Sequence, residues 1–493
     1  MSAVTLAVER PATRSVLMSR IRQIAAERGG NIAISGPHTR LGYRDLIERA
    51  DAWAELLRGY APPPGAVVAL RVMDPTFLAP AFLAVRDAGL VPTLIDSQAP
   101  ASRRAAVLDA ARPALLMDVR DMPEIAEVSS EPRLLPAGAG YLGFTSGTQG
   151  PPKGIVAQER GVLRFIDWEI STLSVGPTDR VAMISPPTFE VVFREMFVGL
   201  GSGAQLVTAD VTTRADPRAV LPWLAERDIT VVHAVPGLAA RWMAAAPGVH
   251  MDRLRWTLFA GEPLHACHVD AWRDVARHTE VGNLYGPSET TLAKFWYHVP
   301  RDRRPGLQPV GRPLPGARLR PLEAADGVFR VGIDTPDGSF GYLEGTASPA
   351  DHAALTRTAG TTVFRSQDLG MLDADGDLII KGRLDARVKR RGVFVDLGAI
   401  EEAANRLPGV ASAACVHTTP ATGGSIVLCV EVDVRLSVPD LRRALLRVLG
   451  PESPDRVVAV PRLPLSPNGK IDRRALLAAL EAESAPLPER ASA

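Results

Sequence analysis

The stretch "FTSGTQGPPKG", Phe144–Gly154, decides how this sequence is interpreted. It follows a strand-like apolar run, "AGYLGF", and combines glycines, small hydroxyl side chains and one lysine. A glycine-rich loop after a strand lets backbone N–H groups approach an anion closely, and hydroxyl groups add further donors. The spacing differs from that of a Walker A loop. Composition alone leaves two interpretations open, a phosphate-binding loop and a flexible surface loop.

The composition of the chain excludes several classes of protein. The 493 residues are 46% hydrophobic with a net charge of +1, so two or three folded domains are expected. This charge gives no general electrostatic footprint for nucleic acid or for an anionic membrane. The sequence has no apolar run of about 18 residues that would span a bilayer, and its N-terminus does not read as a signal peptide. We expect a cytoplasmic protein that binds no nucleic acid and no membrane.

Cysteine and lysine are both scarce in this chain. Cys267, Cys415 and Cys429 are far apart, so they predict neither a disulfide framework nor a zinc site. Arginine supplies most of the basic side chains, and the chain has only five lysines: Lys153, Lys294, Lys381, Lys389 and Lys470. An ammonium group is a compact point charge that fits where a flat guanidinium does not. A lysine in this chain is therefore a candidate for a chemical role.

Helical and strand patterns alternate along most of the chain. The segment "YRDLIERADAWAELLRGY", residues 43–60, has apolar residues at three- and four-residue spacing and predicts an amphipathic helix. Short apolar runs such as "VAMISP", "ITVVHAVP" and "LRWTLFAG" are typical of buried strands. This alternation predicts mostly parallel sheets covered by helices. Ligands in such folds bind beyond the carboxyl ends of strands, which is where the Phe144 loop is placed.

Two changes in sequence character give the predicted domain organisation. Short strand-like runs and turns across residues 316–383 predict a small β-rich subdomain at the end of an N-terminal domain, residues 1–383. Helix and strand patterns across residues 384–480 predict a compact α+β domain, and residues 481–493 predict a disordered tail. The predicted fold class is therefore α/β, with a large N-terminal domain of mostly parallel sheets and a small α+β C-terminal domain.

Six further motifs accompany the Phe144 loop: "LGYRDLIERA" at Leu41, "FAGEPL" at Phe259, "NLYGPSETT" at Asn283, "FRSQDLG" at Phe364, "GRLDARVKRRG" at Gly382 and "PLSPNGKIDRRAL" at Pro464. Together they resemble the motif set of the adenylate-forming superfamily: acyl-CoA synthetases, luciferases and the adenylation domains of nonribosomal peptide synthetases. The resemblance covers nearly the whole chain, and the last two motifs make it most similar to the peptide-synthetase branch. No carrier-protein motif follows Leu476, so a stand-alone adenylation domain is expected.

The resemblance implies a reaction in which a carboxylate attacks the α-phosphate of ATP and gives an acyl-adenylate and pyrophosphate. Negative charge then concentrates on phosphoryl oxygens, so cations and positioned donors matter more than an acid–base pair. By resemblance, Lys470 is the catalytic cation that bridges the carboxylate and the α-phosphate. Glu289 is implied to bind Mg²⁺, a hard cation that prefers oxygen ligands. Asp385 matches the family's hinge, about which the C-terminal domain is expected to rotate.

The same resemblance assigns the nucleotide site. Asp368, helped by Arg383, is implied to accept hydrogen bonds from the ribose hydroxyls. Tyr285 is implied to stack on adenine, with a core aromatic as its alternative role, and Asn283 to read the exocyclic amine. The β- and γ-phosphates are assigned to Lys153 and the loop residues Thr145, Ser146, Gly147 and Thr148. The remaining nucleotide contacts implied by the motifs are Gly261, Glu262, Pro263, Gly286, Ser288 and Thr290.

The acid-binding pocket is expected to include "TFEVVFRE", Thr188–Glu195. In amino-acid-activating relatives an aspartate follows the phenylalanine and pairs with the substrate α-ammonium, whereas here Glu190 follows Phe189. A buried carboxylate without a partner is costly, so Glu190 favours an amine-bearing substrate such as a β-amino acid. Arg194 lies one helical turn further on. It either pairs with an acidic group of the substrate or only neutralises Glu190, and the second alternative would weaken the inference of an amine.

Seven further residues are expected to line this pocket by motif alignment: Val191, His233, Leu258, Ala260, Leu284, Leu292 and Ala293. We expect His233 to be a packed residue of the pocket wall rather than a catalytic base. The predicted function is ATP-dependent activation of an amino acid or amino acid-like acid, with transfer to the phosphopantetheine thiol of a separate carrier protein. A ligase that passes the adenylate to CoA or to a free amine is the close alternative. A non-catalytic nucleotide-binding scaffold is the alternative of another class.

Overall fold

A computed structural model of the chain describes residues 16–145, 152–302, 304–384, 387–390, 393–407, 409–418, 424–432, 437–465 and 471–484. The predictions for Ser146, Gly147, Thr148, Asp385 and Lys470 therefore fall outside the described residues. No helix in these ranges is long and apolar enough to cross a membrane.

The helices have the following bounds: α1 Val16–Arg28, α2 Tyr43–Gly59, α3 Leu78–Asp87, α4 Ala101–Ala111, α5 Glu159–Leu173, α6 Val191–Ser202, α7 Val211–Ala215, α8 Pro217–Glu226, α9 Pro236–Ala245, α10 Ala266–Val275, α11 Pro349–Ala354, α12 Leu397–Asn405, α13 Val438–Leu449 and α14 Arg473–Ser484. The helix predicted over residues 43–60 is confirmed as α2.

The first strands are β1 Ile32–Ser35, β2 Arg40–Gly42, β3 Val67–Val72, β4 Val91–Asp96, β5 Leu115–Val119, β6 Glu124–Glu127, β7 Ala139–Thr145, β8 Lys153–Gln158, β9 Arg180–Met183, β10 Gln205–Thr208, β11 Val231–Ala234, β12 Trp256–Ala260, β13 Glu280–Tyr285, β14 Phe295–Val299 and β15 Arg312–Pro313. The later strands are β16 Arg318–Ala325, β17 Val328–Thr335, β18 Gly341–Tyr342, β19 Leu355–Thr358, β20 Thr361–Leu372, β21 Leu378–Arg383, β22 Arg387–Arg390, β23 Val393–Asp396, β24 Val410–His417, β25 Ile426–Val432 and β26 Arg456–Ala459.

Two large sheets have parallel centres and antiparallel edges. The nine-stranded sheet has the order β15-β14-β13-β12-β11-β9-β10-β1-β2, and its strands from β13 to β1 in this order are parallel. The seven-stranded sheet has the order β18-β8-β7-β4-β3-β5-β6, with parallel pairing among β7, β4, β3 and β5. Mostly parallel sheets covered by helices are the predicted α/β fold class, which is confirmed.

The main hydrophobic core lies between these two sheets and contains α2, α3, α5 and α6. Every residue of α6 from Val191 to Leu200 is buried, which explains why its apolar residues surround the whole helix rather than one stripe. Arg194 and Glu195 are buried on the same helix although both are ionisable. A second core on the other face of the nine-stranded sheet contains residues of α8, α9 and α10.

The β-rich region forms an antiparallel five-stranded sheet from β16, β17, β19, β20 and β21. After it, β22 and β23 pair as a ribbon, and β24, β25 and β26 form a three-stranded sheet with α12 and α13 packed on it. Helix α14 continues to Ser484, four residues into the segment predicted as a tail. The domain limits at residues 383 and 480 stay predictions.

Candidate active site

Several predicted site residues lie at one edge of the nine-stranded sheet. The parallel strands β11, β12 and β13 end at Ala234, Ala260 and Tyr285, and α6 begins at Val191 after β9. Because these strands are parallel neighbours, their carboxyl ends meet at the same edge. The β13 strand then turns back and pairs with β14 in antiparallel register, Tyr285 opposite Phe295. This turn carries the "GPSETT" motif to that edge.

The predicted ribose carboxylate is held in a defined orientation. The Tyr285 hydroxyl donates to Asp368 Oδ2 at 2.5 Å, and Arg383 Nη1 donates to Asp368 Oδ1 at 3.2 Å. Asp368 and Arg383 face each other across β20 and β21, which explains their contact. Burial and the neighbouring Asp368 raise the pKa of Tyr285 well above its ordinary value, so its hydroxyl stays a donor. The structure thus brings together three residues that the motifs predicted for one ligand.

The predicted adenine contacts lie on the adjacent strands. Asn283 is 2% exposed, and its Nδ2 donates to the Pro309 carbonyl at 2.7 Å, which leaves Oδ1 as the free acceptor of the amide. Gly261, directly after β12, has φ of +90°, a conformation that favours glycine. The Glu262 side chain accepts the Gly237 N–H at 3.1 Å near the start of α9. Glu262 therefore contributes its backbone rather than its carboxylate to this surface.

The predicted phosphate lysine is paired with a carboxylate that sequence reasoning missed. Thr145 and Lys153 face each other across β7 and β8, on either side of the loop. Lys153 Nζ donates to Asp351 Oδ1 at 2.6 Å, and both side chains are partly exposed. A partly exposed pair of this kind contributes about 0–1 kcal/mol, so a phosphate competes readily for the lysine. Ser348 and Asp351 form a capping box that the sequence did signal, but only as the start of a helix.

Glu289, the predicted Mg²⁺ ligand, lies in a 3₁₀ turn, Ser288–Thr290. Its Oε1 accepts the Tyr342 hydroxyl at 2.6 Å, and its backbone carbonyl accepts the Ser339 hydroxyl at 2.6 Å. These bonds leave Oε2 of Glu289 for a cation. No cluster of three or more candidate metal ligands occurs among the described residues. Mg²⁺ is usually bound by one or two carboxylates together with phosphate oxygens and water, so a single carboxylate here fits.

Glu190 at the start of α6 is bonded within the protein. Its Oε1 accepts the Tyr141 hydroxyl and, at 3.1 Å, the Leu292 N–H. Burial raises the pKa of Glu190, while the bonds from Tyr141, Leu292 and Ser288 and the charge of Lys294 act in the opposite direction. The bonds from Tyr141 and Leu292 both end at Oε1, and the Ser288 hydroxyl acts on the same carboxylate. Glu190 thus has structural partners that the sequence did not reveal.

The turn that Glu190 supports is strained. Thr291 and Leu292 have φ of +61° and +59°, a conformation that costs non-glycine residues roughly 1–3 kcal/mol each. Lys294 Nζ donates to the Thr291 carbonyl at 2.5 Å, so Glu190 and Lys294 hold adjacent residues of the turn. Burial lowers the pKa of Lys294 to about 8. A Cβ on Gly286 would lie 2.6 Å from the Leu292 carbonyl oxygen, so only glycine fits there.

Arg194 does not pair with Glu190. No hydrogen bond or ion pair joins its guanidinium to any residue in the described ranges, although its side chain is only 4% exposed. The guanidinium lies over the Phe165 ring, 5.7 Å from the ring centroid. Burial lowers the pKa of Arg194, against the attraction of Glu169, Glu195 and Glu190. The alternative in which Arg194 only neutralises Glu190 has no direct ion pair behind it among the described residues, although the charge of Glu190 does attract the guanidinium, and it stays open.

His233 forms part of a buried pair. Its Nε2 and Oε1 of Glu169 are hydrogen-bonded, and both side chains are fully buried. Burial lowers the pKa of His233, and its buried Nε2 is engaged by Glu169, which is consistent with a packed residue of the pocket wall. Glu169 lies on α5, and no sequence motif pointed to it. Four of the other predicted lining residues belong to the main core: Leu258, Leu284, Leu292 and Ala293. Ala260 packs against that core, and Val191 is buried at the start of α6.

Comparison with known proteins gives a consistent result. Residues 131–332 match the family described as AMP-binding enzyme. Enterobactin synthase component F of Escherichia coli O157:H7 is 29% identical over 527 residues, which are 98% of this chain and 40% of that protein. This chain thus spans less than half the length of that relative.

Two solved structures share the fold. A four-domain nonribosomal peptide synthetase, holo-AB3403 bound to AMP and glycine, has 21% identity and a TM-score of 0.80, with 98% of this chain and 37% of that one covered. The anthranilate CoA ligase AuaEII in complex with anthranoyl-AMP has 18% identity and a TM-score of 0.80, with 95% and 98% covered. These likenesses confirm the predicted fold.

Proposed function

We propose that this chain, whose residues 131–332 match the AMP-binding enzyme family, is an ATP-dependent ligase that converts a carboxylic acid into an acyl-AMP and releases pyrophosphate. The observation that supports the proposal most is the hydrogen-bonded set of Tyr285, Asp368 and Arg383, with Glu289 four residues after Tyr285 in the same motif. These residues come from three separate motifs, and each has a role at the nucleotide in the motif set.

In this proposal, the side chains of the sheet edge hold and orient ATP. Asp368 accepts the ribose hydroxyls, and the free Oδ1 of Asn283 accepts the exocyclic amine of adenine. Lys153 exchanges Asp351 for a phosphate oxygen. Glu289 would hold Mg²⁺, which when bound supplies positive charge that offsets the phosphate oxygens. The proposed catalytic cation is Lys470, as the motif "PLSPNGKIDRRAL" implies.

The substrate is proposed to be an amino acid or amino acid-like acid. The Glu190 carboxylate is the candidate acceptor for the substrate amine, with Oε2 as the atom to which neither Tyr141 nor Leu292 bonds. The similarity to a peptide synthetase structure bound to AMP and glycine supports this class. The proposed acceptor is the phosphopantetheine thiol of a separate carrier protein. Transfer to CoA is the second candidate, favoured by the similarity to a CoA ligase.

Acid-dependent exchange of labelled pyrophosphate into ATP tests the proposal. The full chain is assayed with Mg²⁺, ATP and a panel of α-amino, β-amino, aryl and aliphatic acids. We expect exchange that requires an acid and is strongest with an amine-bearing one. A chain that binds ATP but exchanges no pyrophosphate with any acid would instead be the non-catalytic scaffold.

A loading assay then identifies the acceptor. The activated acid is offered to a phosphopantetheinylated carrier protein, to CoA and to a free amine in separate reactions. We expect mass spectrometry to detect acylated carrier protein formed faster than acyl-CoA or amide. Faster formation of acyl-CoA would assign the chain to the CoA ligases.

A further inference from the structure

Arg194 is a buried cation without a partner in the described part of the chain. It lies on α6, one helical turn after Glu190, and only 4% of its surface is exposed. Its guanidinium contacts the face of Phe165, and no carboxylate of the described residues lies within the 4.0 Å of an ion pair. A buried charge without a partner costs free energy. A protein retains such a charge where a bound ligand supplies the opposite charge.

The carboxylates around Arg194 form no direct ion pair with it among the described residues. Glu169, on α5, is bonded through Oε1 to His233, on β11, and its Oε2 has no hydrogen-bond partner in the described part of the chain. Glu195, on the same helix as Arg194, accepts the Ser185 hydroxyl at 2.7 Å and the Ser185 N–H at 3.2 Å. Both carboxylates attract the guanidinium, but only from beyond the 4.0 Å of an ion pair.

Glu190 is also engaged by other groups. Tyr141 and the Leu292 N–H bond to its Oε1, and the charge of Lys294 acts on it directly. Arg194 therefore keeps its donors for a ligand. Five N–H donors in a flat fork match a carboxylate with two parallel hydrogen bonds.

We propose that Arg194 binds a second carboxylate of the acid substrate, so that the chain activates an amino dicarboxylic acid. This inference rests on the proposed function, because it places the second carboxylate in the same acid pocket. Glu190 would receive the amine, and Arg194, one turn of about 5.4 Å further along α6, would receive the distal carboxylate. That separation suits a short side chain, of the size of aspartate or glutamate.

The test measures pyrophosphate exchange with matched acids and amides. The pairs are aspartate with asparagine and glutamate with glutamine, each as the α-amino and the β-amino acid. For the wild-type chain we expect the dicarboxylic acid to exceed its amide by about 100-fold in kcat/KM, because the amide leaves a buried cation unpaired. In Arg194→Gln the preference should fall by about 100-fold while KM for ATP is unchanged. Arg442→Gln, at an exposed position on α13, is the matched control and should keep the wild-type ratio.

Thermal unfolding separates this role from a structural one. If Arg194 serves a ligand, Arg194→Met without substrate should unfold at the wild-type temperature or above, and should lose the stabilisation that the dicarboxylic acid gives the wild type. If Arg194 only balances the buried glutamates, Arg194→Met should unfold at a clearly lower temperature or fail to fold, and the proposal is overturned.

The kinetic outcomes are equally distinct. A wild-type preference for amides, neutral acids or aryl acids, or an unchanged ratio in Arg194→Gln, overturns the inference and leaves the ligase function in place. ATP binding without exchange for any acid overturns the ligase function and the inference with it.

Discussion

The nucleotide end and the acid end of the candidate site differ in how their charged groups are satisfied. At the nucleotide end, Asp368, Lys153 and Glu289 each have a direct partner and keep some contact with solvent. At the acid end, Arg194 is buried and has no hydrogen-bond or ion-pair partner among the described residues. Glu190 is bonded to Tyr141 and to the backbone of a strained turn.

This difference indicates what each end recognises. The residues proposed for the nucleotide follow from the motifs that the chain shares with the adenylate-forming superfamily. The partners of the charged groups at the acid end follow instead from how α5, α6 and the sheets of this chain pack. The buried guanidinium of Arg194 belongs to the acid end, and the free energy that its burial costs is consistent with a ligand that pairs with it. The two ends should therefore respond differently to substitution.

The largest expected effect is at the residue proposed to act on both substrates. Lys470→Ala should lower the rate of pyrophosphate exchange by about 1,000-fold, since it removes charge stabilisation at the transition state. Binding of ATP, measured by calorimetry, should change little. Wild-type exchange in this variant would remove Lys470 from the mechanism.

A substitution at the nucleotide end should act equally on all acids. Asp368→Asn should lower kcat/KM for ATP by about 10- to 100-fold, because it weakens hydrogen bonds to a charged acceptor. The effect should be the same for every acid in the panel. Asp375→Asn, at an exposed turn of the same sheet, is the control and should leave kcat/KM for ATP unchanged. An effect of Asp368→Asn that depends on the acid would break the distinction between the two ends.

Two substitutions of Glu190 separate its structural and recognition roles. Glu190→Ala leaves the Leu292 N–H and the Tyr141 hydroxyl without an acceptor and should lower the free energy of unfolding by about 1–3 kcal/mol. Glu190→Gln keeps an acceptor oxygen, so its stability should change by less than about 1 kcal/mol, while KM for an amine-bearing acid rises about 10-fold. Urea denaturation and exchange kinetics measure both. An unchanged KM in Glu190→Gln would argue against an amine at this position.

The smallest expected effect is at Glu195. Its pKa in the folded state is raised to about 8 by burial, from an ordinary value of 4.5. The folded state therefore binds a proton that the unfolded state releases, and the free energy of unfolding should fall as pH rises between these values. Glu195→Gln resembles the protonated acid, so near pH 4.5, where the wild-type carboxyl is protonated in the folded state and about half protonated in the unfolded state, it should change stability by less than about 1 kcal/mol. Its stability relative to the wild type should then increase towards pH 8, as measured by urea denaturation across this range; a parallel pH dependence would contradict the assignment.

Much of the fold and the nucleotide end could be predicted from the sequence. Helix α2 follows from its apolar spacing, and the contact of Asp368 with Arg383 follows from two motifs that form adjacent strands. The partners at the acid end could not be predicted. Tyr141 and Glu190 are bonded although 49 residues separate them in the sequence, and 64 residues separate Glu169 from His233. Such contacts depend on how α5, α6 and the sheets pack, and no local pattern encodes them.

Transfer of a heavy-oxygen label tests the central claim, formation of an acyl-adenylate, most directly. The acid is labelled in its carboxylate oxygens and incubated with the full chain, ATP, Mg²⁺ and a thiol acceptor, and the nucleotide products are weighed by mass spectrometry. Attack of the carboxylate on the α-phosphate leaves one labelled oxygen on the released AMP, which is the result we predict. Label in inorganic phosphate together with ADP, or AMP without label, would contradict the account.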